Sequence, residues 1–142
     1  MQTVYLWFPG NAAAALRFYH GVFGGQLTLH TFADFGRDDG PADAIAHGVL
    51  SGPVELYGTD AAAHEATLEM RGVSLALLGA ADAETSTQWF AQLAVDGEVL
   101  DELQKREWGA SDGQLIDRYG VRWLIGFEHD ESHESGANKP DR

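Results

Sequence analysis

The chain has 142 residues, 44% of them apolar and 22% charged, which is enough for one domain or two half-domains sharing a core and excludes disorder throughout. Nine Lys and Arg against 22 Asp and Glu leave a formal net charge of −13, which argues against nucleic acid and anionic membrane surfaces as partners. The absence of cysteine excludes disulfide scaffolds, thiolate metal sites and thiol nucleophiles.

Residues 3–8, TVYLWF, are a continuous β-branched and aromatic run that reads as a buried strand stopped by Pro9-Gly10. Asn11 is a suitable cap for a helix in which Leu16, Tyr19, Val22 and Phe23 recur at helical spacing, ended by Gly24-Gly25. Residues 26–35 alternate, with Leu27, Leu29 and Thr31 on one face and Thr28, His30 and Phe32 on the other, as in a strand. A polar Gly/Pro loop fills 36–43, and 44–50 and 53–59 read as two strands around a Ser51-Gly52 turn.

The second half repeats this grammar. After an Ala-rich connector at 61–71 comes a buried strand at 73–78. Asp82 caps a helix carrying Trp89, Phe90 and Leu93, which Asp96-Gly97 ends, and a strand with a charged face follows at 98–107. Residues 113–117 and 121–127 read as strands around Arg118-Tyr119-Gly120. The halves align at an offset of 70–72: Val4 falls near Ser74, Phe18-Tyr19 on Trp89-Phe90, and Gly25 on Gly97. The reading is α+β: two pseudo-symmetric βαβββ modules, at 1–60 and 61–127, each leaving one apolar sheet face to be covered. Residues 128–142 hold five acids against two bases and read as a solvated polar tail. No basic, apolar leader opens the sequence, and no run approaches the ~18 apolar residues of a membrane span, so a cytoplasmic location is expected.

The string GNAAAALRFYHGVFGG at 10–25 resembles the helix signature of the PhnB-like branch of the vicinal oxygen chelate superfamily, which includes glyoxalase I, bleomycin-resistance proteins and extradiol dioxygenases. Gly10, Asn11, Ala15, Leu16, Phe18, Tyr19, Val22, Phe23, Gly24 and Gly25 meet the signature. Trp108-Gly109, Gly113 and the block Asp117-Arg118-Tyr119-Gly120-Val121-Arg122-Trp123 are also similar, and Ala46-His47 with Tyr57-Gly58-Thr59-Asp60 match more weakly. The resemblance implies curled mixed sheets around a cavity, frequent homodimers, and either metalloenzymes or metal-free drug binders on one fold.

Metal-using members of that superfamily aim His, Glu or Gln at one divalent ion from the first and last strand of each module. Those four positions fall here on Val4, Glu55, Ser74 and Leu124. Only Glu55 is a strong ligand, and a slip of one residue brings in Thr3, Tyr5, Val73, Leu75, Trp123 or Ile125, which restores no set. No cofactor is therefore expected.

His47 reads either as a cavity hydrogen-bonder or base, or as a half-buried strand His bonded to a neighbour. Glu55 reads equally as a cavity carboxylate or an exposed strand acid. Trp7, Phe32, Tyr57 and Trp108 belong to an aromatic inventory that serves packing, with two or three rings lining a cavity for a flat or cationic molecule. Ser74 and Leu124 complete the expected cavity. Ser74 and Ser111 have no evident His-Asp neighbourhood, and an i, i+4 pairing of His129 with His133 reads as incidental. No phosphate loop, dinucleotide fingerprint or glycine-rich adenosyl-methionine motif is present.

The leading expectation is a metal-free homodimer that binds a small organic ligand for sequestration or resistance, with no nucleic-acid or membrane partner. The alternatives are a metal-dependent lyase, isomerase or dioxygenase, and a partner-binding dimer with a collapsed cavity.

Overall fold

Side chains alternate along the first strand, Tyr5–Phe8 (β1): Leu6 and Phe8 are buried, while Tyr5 is half-buried and Trp7 exposed. A computed structural model describes residues 1–129, and the chain separates into two compact units, Met1–Glu69 and a second beginning at Met70.

In the first unit, β1 leads into the helix Ala12–Phe23 (α1), then Gln26–Thr31 (β2), a 3₁₀ turn at Ala33–Phe35, Ile45–Ser51 (β3) and Leu56–Asp60 (β4). The open sheet runs β1-β4-β3-β2, with β1 parallel to β4 and the other pairs antiparallel. α1 lies across β2, β3 and β4 and buries Ala12, Ala15, Leu16, Tyr19 and Phe23. Each large apolar side chain withdrawn there contributes about 1.5–3 kcal/mol. Ala61 N–H extends the β1–β4 ladder by donating to the Phe8 carbonyl, and Leu68 N–H covers the outer edge of β1 by donating to the Trp7 carbonyl, both at 2.8 Å.

The second unit repeats the order: Leu75–Leu78 (β5), Ala83–Ala94 (α2), Glu98–Lys105 (β6), Ala110–Ile116 (β7) and Arg122–Glu128 (β8). Its sheet runs β5-β8-β7-β6, with β5 parallel to β8. Trp89, Phe90 and Leu93 of α2 are buried, as are Leu115, Trp123 and Ile125 of the sheet. Two open, mixed four-stranded sheets, each with one helix, are the two βαβββ modules expected.

Several local expectations need correction. β1 starts at Tyr5 and β5 at Leu75, two residues later than read, whereas β7 starts earlier, at Ala110. β8 extends through Glu128, and the polar segment beyond residue 129, including His133, lies outside the described residues. The turn between β3 and β4 spans residues 52–55, longer than Ser51-Gly52. Asn11 occupies the cap position of α1, but its side chain makes no capping bond. Asp60, 48 residues away, instead satisfies the first free donor of the helix, accepting from Ala12 N–H at 2.9 Å. Asp82 does cap α2, accepting from Thr85 N–H at 2.8 Å.

The strand read through residue 35 ends at Thr31, so Phe32 does not share a face with Thr28 and His30. Thr31 and Asp34 bond reciprocally, N–H to Oδ2 at 2.8 Å and Oγ1 from N–H at 3.1 Å, and this turns the chain into the 3₁₀ segment.

Candidate functional site

Cross-strand register decides which rings meet. Tyr5 pairs with Tyr57, Trp7 with Thr59, and Tyr57 with Val49, two residues from His47. Tyr5, Trp7, Tyr57 and His47 therefore share the sheet face opposite α1. The Tyr5 hydroxyl lies 2.9 Å from His47 Nδ1, spanning β4, and the two rings stack with centroids 5.7 Å apart. Tyr5 and Trp7 centroids lie 4.8 Å apart. Tyr57 stands edge-on to both Tyr5, at 6.4 Å, and His47, at 5.8 Å. Such tilted and edge-to-face pairs suit the ring quadrupoles.

Burial pushes the Tyr5 phenol above its ordinary range, so it stays protonated near neutral pH. A neutral phenol can donate to His47 Nδ1, which leaves the imidazole proton on Nε2. The face thus offers ring surface, an imidazole N–H and phenol oxygens. It holds no acidic side chain in contact with the four rings among the contacts above.

Of the other expected cavity residues, two lie in the first unit and three in the second. Glu55 is exposed and lies just before β4 rather than within it. Trp108 is exposed in the turn between β6 and β7. Ser74 precedes β5 and Leu124 lies on β8, both half-buried, in the second unit. Phe32 is buried and lines a different cavity of about 580 Å³, at the start of α1 in the first unit. Of the rings expected in the site, Trp7, His47 and Tyr57 come together. Tyr5 was missed, because a run of apolar residues reads as buried on both sides; its parity with Trp7 was the available signal.

On the second sheet, Leu124 pairs with Ala76 and Gln114 on the face opposite Trp123 and Ile125. Arg122 donates to Gln114 Oε1 at 2.9 Å. Arg106 donates to Asp101 at 2.6 Å and Asp112 at 2.8 Å. Ser111 has a histidine neighbour, with Oγ 2.9 Å from His129 Nε2. Among the described residues no acid bonds this imidazole, and Ser111 is buried, so they assemble no serine triad.

A family model described as the Glyoxalase/Bleomycin resistance protein/Dioxygenase superfamily matches residues 4–125. The chain belongs to this superfamily. It is 32% identical to protein PA1353 from Pseudomonas aeruginosa, with a TM-score of 0.76 over 92% of this chain and 99% of that one. It is 25% identical to the PhnB protein from Bacillus cereus, with a TM-score of 0.72 over 89% of this chain and 98% of that one. Protein YjdN of Escherichia coli (strain K12) is 26% identical over 138 residues, covering 85% of this chain and 90% of that protein.

Membership in the glyoxalase superfamily raises the question of a chelated ion. Val4 and Leu124 offer no side-chain donor, Ser74 only a neutral hydroxyl, and Glu55 points from an exposed turn. Among the described residues, no group of three or more His, Asp or Glu could hold an ion. Because Glu55 is exposed and makes no side-chain bond among the described residues, Glu55→Gln is expected to shift stability by less than about 0.5 kcal/mol. Thermal unfolding of the two proteins side by side checks this; a larger loss would mean that Glu55 has a buried partner.

Proposed function

We propose that this glyoxalase-superfamily chain binds a small, flat organic molecule, without a metal, against the aromatic face of its first sheet, and sequesters rather than converts it. The observation that carries this reading is the clustering of Tyr5, Trp7, His47 and Tyr57 on one face, opposite the helix, with Trp7 39% exposed. A packed core does not need large rings left open to solvent, whereas a stacking platform does. The His47 N–H and the phenols supply the few directional polar groups that fix a ligand's orientation. The metal-free part of the proposal rests on the donor set, and sequestration requires no acid–base or nucleophilic constellation.

We further propose that the protein works as a homodimer in the cytoplasm. Leu78 on β5 and Val99 and Leu100 on β6 leave apolar surface exposed on both edge strands of the second sheet, which favours association. A chain without cysteine suits a reducing compartment. Among the described residues, no helix is long and apolar enough to cross a membrane.

Native followed by denaturing mass spectrometry of the isolated protein tests the reading. A dimer carrying extra organic mass and no metal is expected. A stoichiometric divalent ion would overturn the metal-free reading in favour of a lyase, isomerase or dioxygenase. Once the bound molecule is known, Trp7→Ala and Tyr57→Ala are each expected to weaken its binding about tenfold, the scale of losing one aromatic contact. Unchanged affinity in both variants would place the ligand elsewhere.

A further inference from the structure

The cavity at the start of α1 is separate from the aromatic face, and its lining carries one base, Arg17, and three acids, Asp39, Asp43 and Asp60. Two of its acids are already occupied. Asp60 accepts from Ala12 N–H at 2.9 Å and Ile45 N–H at 2.8 Å. Asp39 accepts two bonds from Arg37, at 2.9 and 2.7 Å. Three lining groups have no side-chain partner among the described residues: the Asn11 amide, the Arg17 guanidinium and the Asp43 carboxylate. Between them lies an apolar surface that includes Ala13, Ala14, Pro41 and Ala61.

The wall opposite the helix is built before any ligand arrives. Phe32 N–H donates to the Ala44 carbonyl at 2.8 Å, and Ala33 N–H to the Ala42 carbonyl at 3.1 Å, pinning the loop at both strands of its neck. The Arg37 guanidinium sits 3.8 Å over the Phe32 ring, and Gly40 packs so closely on that ring that a Cβ would come within 2.6 Å of Cε2. A preformed wall spares a ligand the cost of ordering it. The cavity volume of about 580 Å³ lies in the range of small-molecule sites.

We propose that this cavity is a second binding site, which takes a small zwitterion with an apolar body, of the class of an aliphatic or aromatic α-amino acid. The ligand's carboxylate is received by Arg17 and the Asn11 amide, its ammonium by Asp43, and its apolar part by the alanine and proline surface. A purely anionic or purely cationic ligand leaves one of the two charged groups unpaired and binds less well.

The test is amide NMR of the full chain, titrated with L-leucine and L-phenylalanine, then with L-leucinamide and N-acetyl-L-leucine. Saturable shifts at Ala14, Arg17 and Asp43, absent at Tyr5 and His47, are expected for at least one amino acid. The two singly charged derivatives are expected to bind about tenfold more weakly, as are Arg17→Met and Asp43→Asn, the scale of one charge-assisted bond. Both variants alter exposed side chains, so they fold. No saturable shift with either amino acid would overturn the proposal. So would binding that both variants leave unchanged, or shifts confined to the aromatic face.

Discussion

Asp117→Ala is expected to destabilise the second unit by about 4 kcal/mol and to lower its melting temperature by roughly 20 °C. Asp117 is buried, and donors of its own turn and of β8 meet its carboxylate. Oδ1 accepts from Tyr119 N–H at 2.8 Å and Val121 N–H at 3.2 Å, and Oδ2 accepts from the Trp123 indole N–H at 2.9 Å. The backbone closes the same turn, with Asp117 N–H on the Val121 carbonyl at 2.8 Å and Gly120 N–H on the Asp117 carbonyl at 3.0 Å. Truncation orphans the indole and Val121 donors where water does not reach, since Val121 and Trp123 are fully buried. Each buried orphan costs about 1–3 kcal/mol. Asp117→Asn keeps an acceptor for the indole or for the turn but not for both, so about half the loss is expected. Thermal and urea unfolding of the two variants decide the matter. Equal, small losses would mean that water or a rearranged turn satisfies these donors.

That carboxylate also shows what a sequence reveals and what it withholds. The Asp117–Val121 turn, the Asp82 cap and both helices were legible because their determinants lie within a few residues of one another. The paired modules were legible through the repeat, and the superfamily through its helix and Asp117–Trp123 blocks. The capping of α1 was not. Asn11 has the right chemistry but makes no capping bond, and the helix's first donor, Ala12 N–H, is met by Asp60 from the end of β4. Phe32 was misplaced because alternation continues past the Thr31–Asp34 bonds that end the strand. The aromatic face depended on two registers, Tyr5 with Tyr57 and Tyr57 with Val49, and no local pattern specifies which strands become neighbours. Glu55 drew attention as the lone strong ligand, yet its position one residue outside β4 leaves it in solvent.

Gly25→Ala is expected to cost about 3 kcal/mol or more, because two independent penalties coincide at one residue. Gly25 joins α1 to β2 with φ +92°, and a Cβ there would meet the Ser51 carbonyl oxygen directly and the Gly52 Cα at 3.1 Å. Those are backbone atoms at the end of β3, so the β2–β3 pairing itself must shift to make room. Gly97, the counterpart in the repeat, joins α2 to β6, and a Cβ there would meet the Ile116 carbonyl oxygen at the end of β7. The two glycines align in sequence because each lets the helix exit pass against the end of the third strand of its module. Gly36 separates the two penalties: its φ of +66° is left-handed, but nothing lies within 4 Å of its Cβ position. Gly36→Ala is therefore expected to cost only the conformational part, about 1–2 kcal/mol. Gly97→Ala, without a positive φ, is expected to show the contact part alone. Urea unfolding of the three variants tests the division. If Gly25→Ala and Gly36→Ala lost the same amount, the close approach to β3 would contribute nothing, and the repeat's shared glycine would need another cause.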